Sequence, residues 1–244
     1  MSNEYIPERA MFIYAHPDDI EFGCAGTAAK WAKYGSIVTY VVITDGNIGT
    51  DDLEMKPEVL AATRRAEQQA AADIAGVTNM IFLGYPDGML VPDLTLRKDL
   101  TRLIREHKPN VVVCGDPTVV LHETRINHPD HRAAATAAVD AVFPSADSPL
   151  LFPDLLEAGY MPHKVNYVYI TNWSEATLFI DISETIDTKI KALKEHKCQL
   201  GDWDPEERMK SWAQEIGKKV GFAYAEAFRK ITLREIHPEQ SETA

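Results

Sequence analysis

Cysteine is scarce: Cys24, Cys114 and Cys198 are the three in 244 residues. They are odd in number, far apart and in no C-x-x-C pair, which argues against a disulfide framework and for a reducing, cytoplasmic setting. Positive charge is short as well, with 25 Lys and Arg against 37 Asp and Glu and a formal net charge of -12. An acidic surface repels phosphate backbones and anionic lipids, so neither nucleic acid nor a membrane surface is an expected partner. No apolar run approaches the length that spans a bilayer, and Met1–Arg9 is polar with no apolar stretch behind it. Glycine-rich phosphate loops are missing too. No G-x-G-x-x-G follows the first strand-like segment, and no G-x-x-x-x-G-K-[ST] occurs. Gly23 and Gly26 alone are a weak trace of a nucleotide-binding α/β protein.

The chain does have material for a core, at 45% apolar residues. Ala10–Ala15 and Ile37–Thr44 are short β-rich runs, the second apolar on both alternations, as a strand buried on both faces should be. A helical pattern over Ile20–Tyr34 lies between them and stops at Gly35. A helix over Pro57–Ala75, a strand over Asn79–Gly84, a helix over Leu94–His107, a strand over Val111–Cys114 and an Ala-rich helix from about Asp130 continue the alternation. That order predicts an α/β fold, Rossmann-like, with a mostly parallel twisted sheet and helices on both faces. Val165–Thr171 and Leu178–Asp181 read as later strands, expected to be antiparallel at a sheet edge. A helix from Ser183 to about Leu200 and one or two more helices follow. No linker or repeat divides residues 1–244, so a single domain is expected, frayed after about His237.

Two segments carry chemistry. Ala15-His16-Pro17-Asp18-Asp19 ends the first strand, where ligands gather in an open parallel sheet. Pro17 stiffens the turn, and His16 and Asp19 offer an imidazole and a carboxylate, both suited to zinc. The same residues also fit a plain strand–turn–helix junction with an aspartate cap. Asn127-His128-Pro129-Asp130-His131 follows the fourth strand at a helix start, and the sheet topology brings both His-Pro-Asp elements to one rim. His122 and Glu123 precede it closely enough to line a pocket mouth. Asp45 and Asp87 occupy turn sequences at strand ends, and Arg64 lies on an Ala-rich helix where a solvated face is the ordinary reading. Cys198 reads as a small buried hydrophobe, and Trp173, Trp203 and Trp212 as core or interface residues.

These segments together resemble the LmbE-like, or PIG-L, family of zinc-dependent N-acetylglucosaminyl deacetylases. The resemblance runs through AHPDDIEFGCAG, TDG at Thr44–Gly46, RRAE at Arg64–Glu67, LGYPDG at Leu83–Gly88, HPDH at His128–His131 and KALKEHKCQ at Lys191–Gln199. It implies one zinc per chain, or another divalent ion, held by His16, Asp19 and His131. It further implies Asp18 as general base, a protonated His128 stabilising the oxyanion, Asp130 orienting His128, and Arg64 and Asp87 contacting the sugar. The implied substrate is a small N-acylated amino sugar, such as an N-acetylglucosamine conjugate, and the implied assembly a homo-oligomer. Three departures bear on the substrate: Ile126 replaces a tyrosine, His122-Glu123-Thr124-Arg125 replaces a glycine-rich lead-in, and His196-Lys197-Cys198-Gln199 replaces His-x-Ser-Gln. Alternatives remain at this point: a zinc amidase of thiol–sugar conjugates or other N-acyl compounds, and a non-catalytic α/β ligand-binding protein.

Overall fold

A computed structural model describes residues 4–121, 123–172 and 174–235. The expectations attached to His122, Trp173 and His237 lie outside these residues. Seven strands form one sheet in the order β3-β2-β1-β4-β5-β7-β6. They are β1 (Arg9–Tyr14), β2 (Ile37–Thr44), β3 (Asn79–Tyr85), β4 (Val111–Cys114), β5 (Tyr167–Thr171), β6 (Leu178–Asp181) and β7 (Ala225–Thr232). The first five are parallel neighbours, with Phe12 opposite Tyr40 on one side and Val113 on the other. β7 is antiparallel to both β5 and β6. β5 is thus parallel to β4, not the antiparallel edge strand expected from sequence.

The helices are α1 (Asp19–Gly23), α2 (Ala25–Lys33), α3 (Pro57–Ala75), α4 (Leu94–His107), α5 (Pro129–Asp140), α6 (Pro153–Glu157), α7 (Ile186–Leu193), α8 (Lys197–Leu200) and α9 (Glu206–Lys218). The period-2 alternation of β1 feeds two cores. Phe12 and Tyr14 pack with Trp31 of α2, Ala72 of α3, Ile190 of α7 and Met209 of α9. Met11 and Ile13 pack on the other face with Leu96 and Leu100 of α4 and Ala133 and Ala137 of α5. Helices on both faces follow from strands that are apolar on both faces.

The single helix expected over Ile20–Tyr34 is two, broken at Cys24 (φ -149°, ψ 17°). The break has a tertiary cause. Glu226 of β7, buried, accepts from the N–H groups of Gly26 (3.1 Å) and Thr27 (2.7 Å), and so caps a new helix start. Gly26 admits this approach: a Cβ there would lie 3.0 Å from Glu226 Oε1 and 2.8 Å from Ile182 Cδ1. The helix expected from Ser183 to Leu200 is likewise divided into α7 and α8, with His196 between them.

Candidate active site

The strand order changes direction between β1 and β4, so the loops leaving their carboxyl ends lie side by side, where an open α/β sheet forms its crevice. One loop delivers His16 to Asp19, the other His128 to His131. His16 Nδ1 lies 3.1 Å from His131 Nε2 and 3.5 Å from Asp19 Oδ2, and His131 Nε2 lies 3.0 Å from Asp19 Oδ1. Ligands around one ion at zinc–nitrogen and zinc–oxygen distances sit about 3.4 Å apart in tetrahedral geometry, so this donor set fits a single divalent cation. Ring nitrogens of His16, His128 and His131 also converge within 4.8 Å, and His128 sets its ring edge against His16 with centroids 4.7 Å apart.

His16 works with both ring nitrogens. Its Nε2 faces Asp87 Oδ1 at 2.9 Å and Asp130 Oδ2 at 3.3 Å, so that His16, Asp87 and Asp130 form a second convergent group. Asp130 is fully buried and also accepts from the N–H groups of Gly88 (2.7 Å) and Leu90 (3.1 Å). Its carboxylate is committed to the loop after β3 and to His16. The resemblance assigned it to His128, but the only bond between these two residues runs from the Asp130 backbone N–H to His128 Nδ1 (3.2 Å), among the described residues. A ring nitrogen that accepts from a peptide N–H carries no proton, so the His128 proton sits on Nε2. Burial, reinforced by the His16 and His131 charges, holds His128 below its ordinary value. This arrangement favours a neutral His128 with its proton on Nε2 over the charged form expected from sequence.

The other ionisable groups settle around one another. Burial acts against a charged His16, yet its bonds to Asp19 and Asp87 raise it to about 10. Burial likewise opposes ionisation of Asp19, but His131 and His16 hold it well below the usual carboxylate range. Asp18 is different: burial and the Asp19 charge push it up to about 7 against the pull of Arg64 and His196.

Asp18 immediately precedes α1 in a left-handed conformation, φ 85° and ψ -25°, and its side chain makes no capping bond. Such a conformation costs a non-glycine residue about 1–3 kcal/mol unless its surroundings impose it. Arg64 is part of what imposes it. Arg64, for which a sugar contact is expected, is buried and donates to the Pro17 carbonyl (2.7 Å), the Gly46 carbonyl (3.0 Å) and Asp18 Oδ2 (3.3 Å). Gly46 of the Thr-Asp-Gly turn has φ 66°, and a Cβ there would lie 2.8 Å from the guanidinium carbon. Asp87, also expected at the sugar, is buried against His16 and accepts from Ile48 N–H at 3.4 Å. Asp45 turns the chain by accepting from Asn47 N–H.

Three more findings concern the surroundings of Asp18 and the segment from His196 to Gln199. Glu21, Gln68 and His196 are fully buried and bonded in series beside Asp18. Gln199 donates to the Gly49 carbonyl. Cys198 is exposed, not buried; its thiol lies 2.8 Å from Glu67 and is pushed up to about 11 by desolvation and that bond. Arg64 and Gln68 are four apart on α3 and both face inward, which is the one sequence signal that could have paired them.

A cavity of about 790 Å³ meets the cluster on the Asp19–His131 side, and Phe22, Asp116, Arg125, Asn172 and Trp212 are among its lining residues. Asp116 is held below its ordinary value despite burial, because Thr118 and Asn172 donate to it.

The chain is similar in sequence and in fold to known deacetylases. The diacetylchitobiose deacetylase of Thermococcus kodakarensis is 32% identical over 229 residues, covering 92% of this chain and 83% of the relative. A 1D-myo-inositol 2-acetamido-2-deoxy-alpha-D-glucopyranoside deacetylase of Saccharopolyspora erythraea is 34% identical over 176 residues, covering 62% of each. The solved N,N'-diacetylchitobiose deacetylase of Pyrococcus horikoshii superposes with a TM-score of 0.86 at 30% identity, over 96% of this chain and 88% of that one. Residues 11–142 match the PIG-L family, described as GlcNAc-PI de-N-acetylase, and the chain belongs to that family.

Proposed function

We propose that this protein hydrolyses the acetamide of an N-acetylated glucosamine unit, releasing acetate and the free amine. The observation that carries the proposal is the convergence of His16 Nδ1, His131 Nε2 and the Asp19 carboxylate within 3.0–3.5 Å of one another beside an open cavity. Two imidazoles and one carboxylate suit zinc and leave room for water and substrate, and iron or another divalent ion suits the same donors. When bound, such an ion supplies Lewis-acid polarisation of the amide carbonyl and makes a water more acidic.

The chain's own residues do the rest. His16, Asp19 and His131 hold the ion; Asp87 and Asp130 fix the His16 ring from its far side, the outer-shell arrangement that orients ligating histidines. Asp18 accepts the proton of the attacking water as its oxygen bonds to the acetyl carbon. The neutral His128 donates its Nε2–H to the developing oxyanion. As the C–N bond breaks, the proton held by Asp18 passes to the leaving nitrogen. Arg64 acts by bracing the Asp18 turn.

The names of the relatives support an N-acetylglucosamine substrate carrying a further group. The cavity volume of about 790 Å³ lies in the upper half of the range of about 300–1,000 Å³ for small-molecule sites, which favours a disaccharide or conjugate over a single ring. Three free thiols fit the reducing cytoplasm.

The test is acetate release from N-acetylglucosamine, N,N'-diacetylchitobiose and thiol–sugar conjugates, with added zinc and a chelator control. Acetate and free amine from the sugars, abolished by the chelator, are expected. A metal-loaded protein that releases no acetate from any of them overturns the proposal.

A further inference from the structure

We infer that Gln68 is a positioning residue for Asp18, held in its working orientation by the Glu21–His196 pair. The inference rests on Asp18 as the proton acceptor proposed above.

The geometry centres on one peptide unit, the bond between Pro17 and Asp18. Its carbonyl accepts from Arg64 at 2.7 Å and its N–H donates to Gln68 Oε1 at 2.9 Å. Arg64 and Gln68 are one turn apart on α3, so one helix face grips both ends of this peptide. Rotation of a peptide plane changes ψ of the residue before it and φ of the residue after it. Clamping both ends therefore fixes Asp18 at φ 85°, with its carboxylate Oδ2 3.3 Å from Arg64.

Gln68 can do this only if its amide faces the right way round. The two ends of a glutamine amide differ: the oxygen accepts and the nitrogen donates. Gln68 Nε2 donates to both oxygens of Glu21, at 3.1 and 3.2 Å. A carboxylate accepting on both oxygens demands the amide nitrogen, which leaves Oε1 for the Asp18 N–H. His196 Nε2 reaches the same Glu21 at 3.2 Å. Glu21, Gln68 and His196 are all fully buried, so no water competes for these bonds. His196 Nδ1 is buried without a partner among the described residues, and the histidine is thus held through Nε2 alone.

The experiment is a double-mutant cycle between Gln68→Met and Asp18→Ala on the metal-loaded enzyme, read by kcat, KM and metal content. Gln68→Met is expected to lower kcat about 10- to 100-fold, the scale of small misplacements of a reacting group, with KM and metal content near wild type. In the Asp18→Ala background the same change is expected to cost nothing further. Gln68→Asn, which keeps an amide oxygen and an amide nitrogen on a shorter stem, is expected to lose less kcat than Gln68→Met, and carries the comparison if the latter does not fold. An equal loss in both backgrounds overturns the inference, because Gln68 would then act on the fold at large. Loss of the metal in Gln68→Met also overturns it, by moving the effect to His16 and Asp19. Full activity in Asp18→Ala alone overturns the assignment of Asp18 and this inference with it, and is recognised because it needs no change at Gln68.

Discussion

Replacing Asp130 by alanine separates the two uses considered for its carboxylate. It accepts from Gly88 N–H at 2.7 Å and Leu90 N–H at 3.1 Å, and faces His16 Nε2 at 3.3 Å. The change leaves the buried Leu90 donor unsatisfied, at about 1–3 kcal/mol or about 2 kcal/mol in the middle of the range, while the N–H of exposed Gly88 can turn to water. At roughly 2–4 °C per kcal/mol for a domain of this size, the melting temperature should fall about 4–8 °C. The assay is thermal unfolding of the chelator-treated protein, so that metal binding does not mask the loss. Metal affinity should fall about 10-fold, the lower end of the usual outer-shell effect, because Asp87 still holds His16 at 2.9 Å. Asp130→Asn should lie between: one oxygen still accepts, while the amide nitrogen meets either a backbone donor or His16. An Asp130→Ala protein with unchanged melting temperature and metal affinity, but a reduced rate, refutes this reasoning and returns Asp130 to His128.

Other expectations follow from the same geometry. His131→Ala should purify with little metal, and a stoichiometric metal content would show that the ligand set is wrong. His128→Ala should keep its metal and lose about 100- to 1,000-fold in kcat, the scale of one oxyanion donor; a loss below 10-fold would remove His128 from that role. Asp116 is held below its ordinary value by bonds from Thr118 and Asn172. Its stabilising share is present above the ordinary aspartate range and lost as pH falls through the depressed folded value. Asp116→Asn should therefore flatten the acid side of the stability profile, and an unchanged acid limb in chemical denaturation would contradict this.

Much of the fold was legible because the parallel strands are apolar on both faces and their helices carry ordinary start and stop signals. The bounds expected for Pro57–Ala75, Leu94–His107 and Val111–Cys114 are those observed. β7 was missed because Ala225–Thr232 carries Glu226, Arg229 and Lys230, and reads as polar. Its place between β5 and β6 depends on long-range pairing, and Glu226 is buried because it caps α2. The same kind of contact broke the helix at Cys24. At the site, the two His-Pro-Asp elements announced which residues meet. They did not announce partners: Asp87 and Asp130 turn to His16, Arg64 turns inward to the Pro17 carbonyl, and Gln68 and Glu21 look like solvent-facing helix residues until α7 and α8 cover them with His196. Pairings set by tertiary packing leave no local pattern.

The most direct measurement is acetate release from N,N'-diacetylchitobiose by Asp18→Ala carrying one zinc per chain, beside wild type at equal metal content. The account predicts a metal affinity close to wild type and a rate lower by at least ~100-fold. A fully loaded Asp18→Ala protein that releases acetate at the wild-type rate contradicts it.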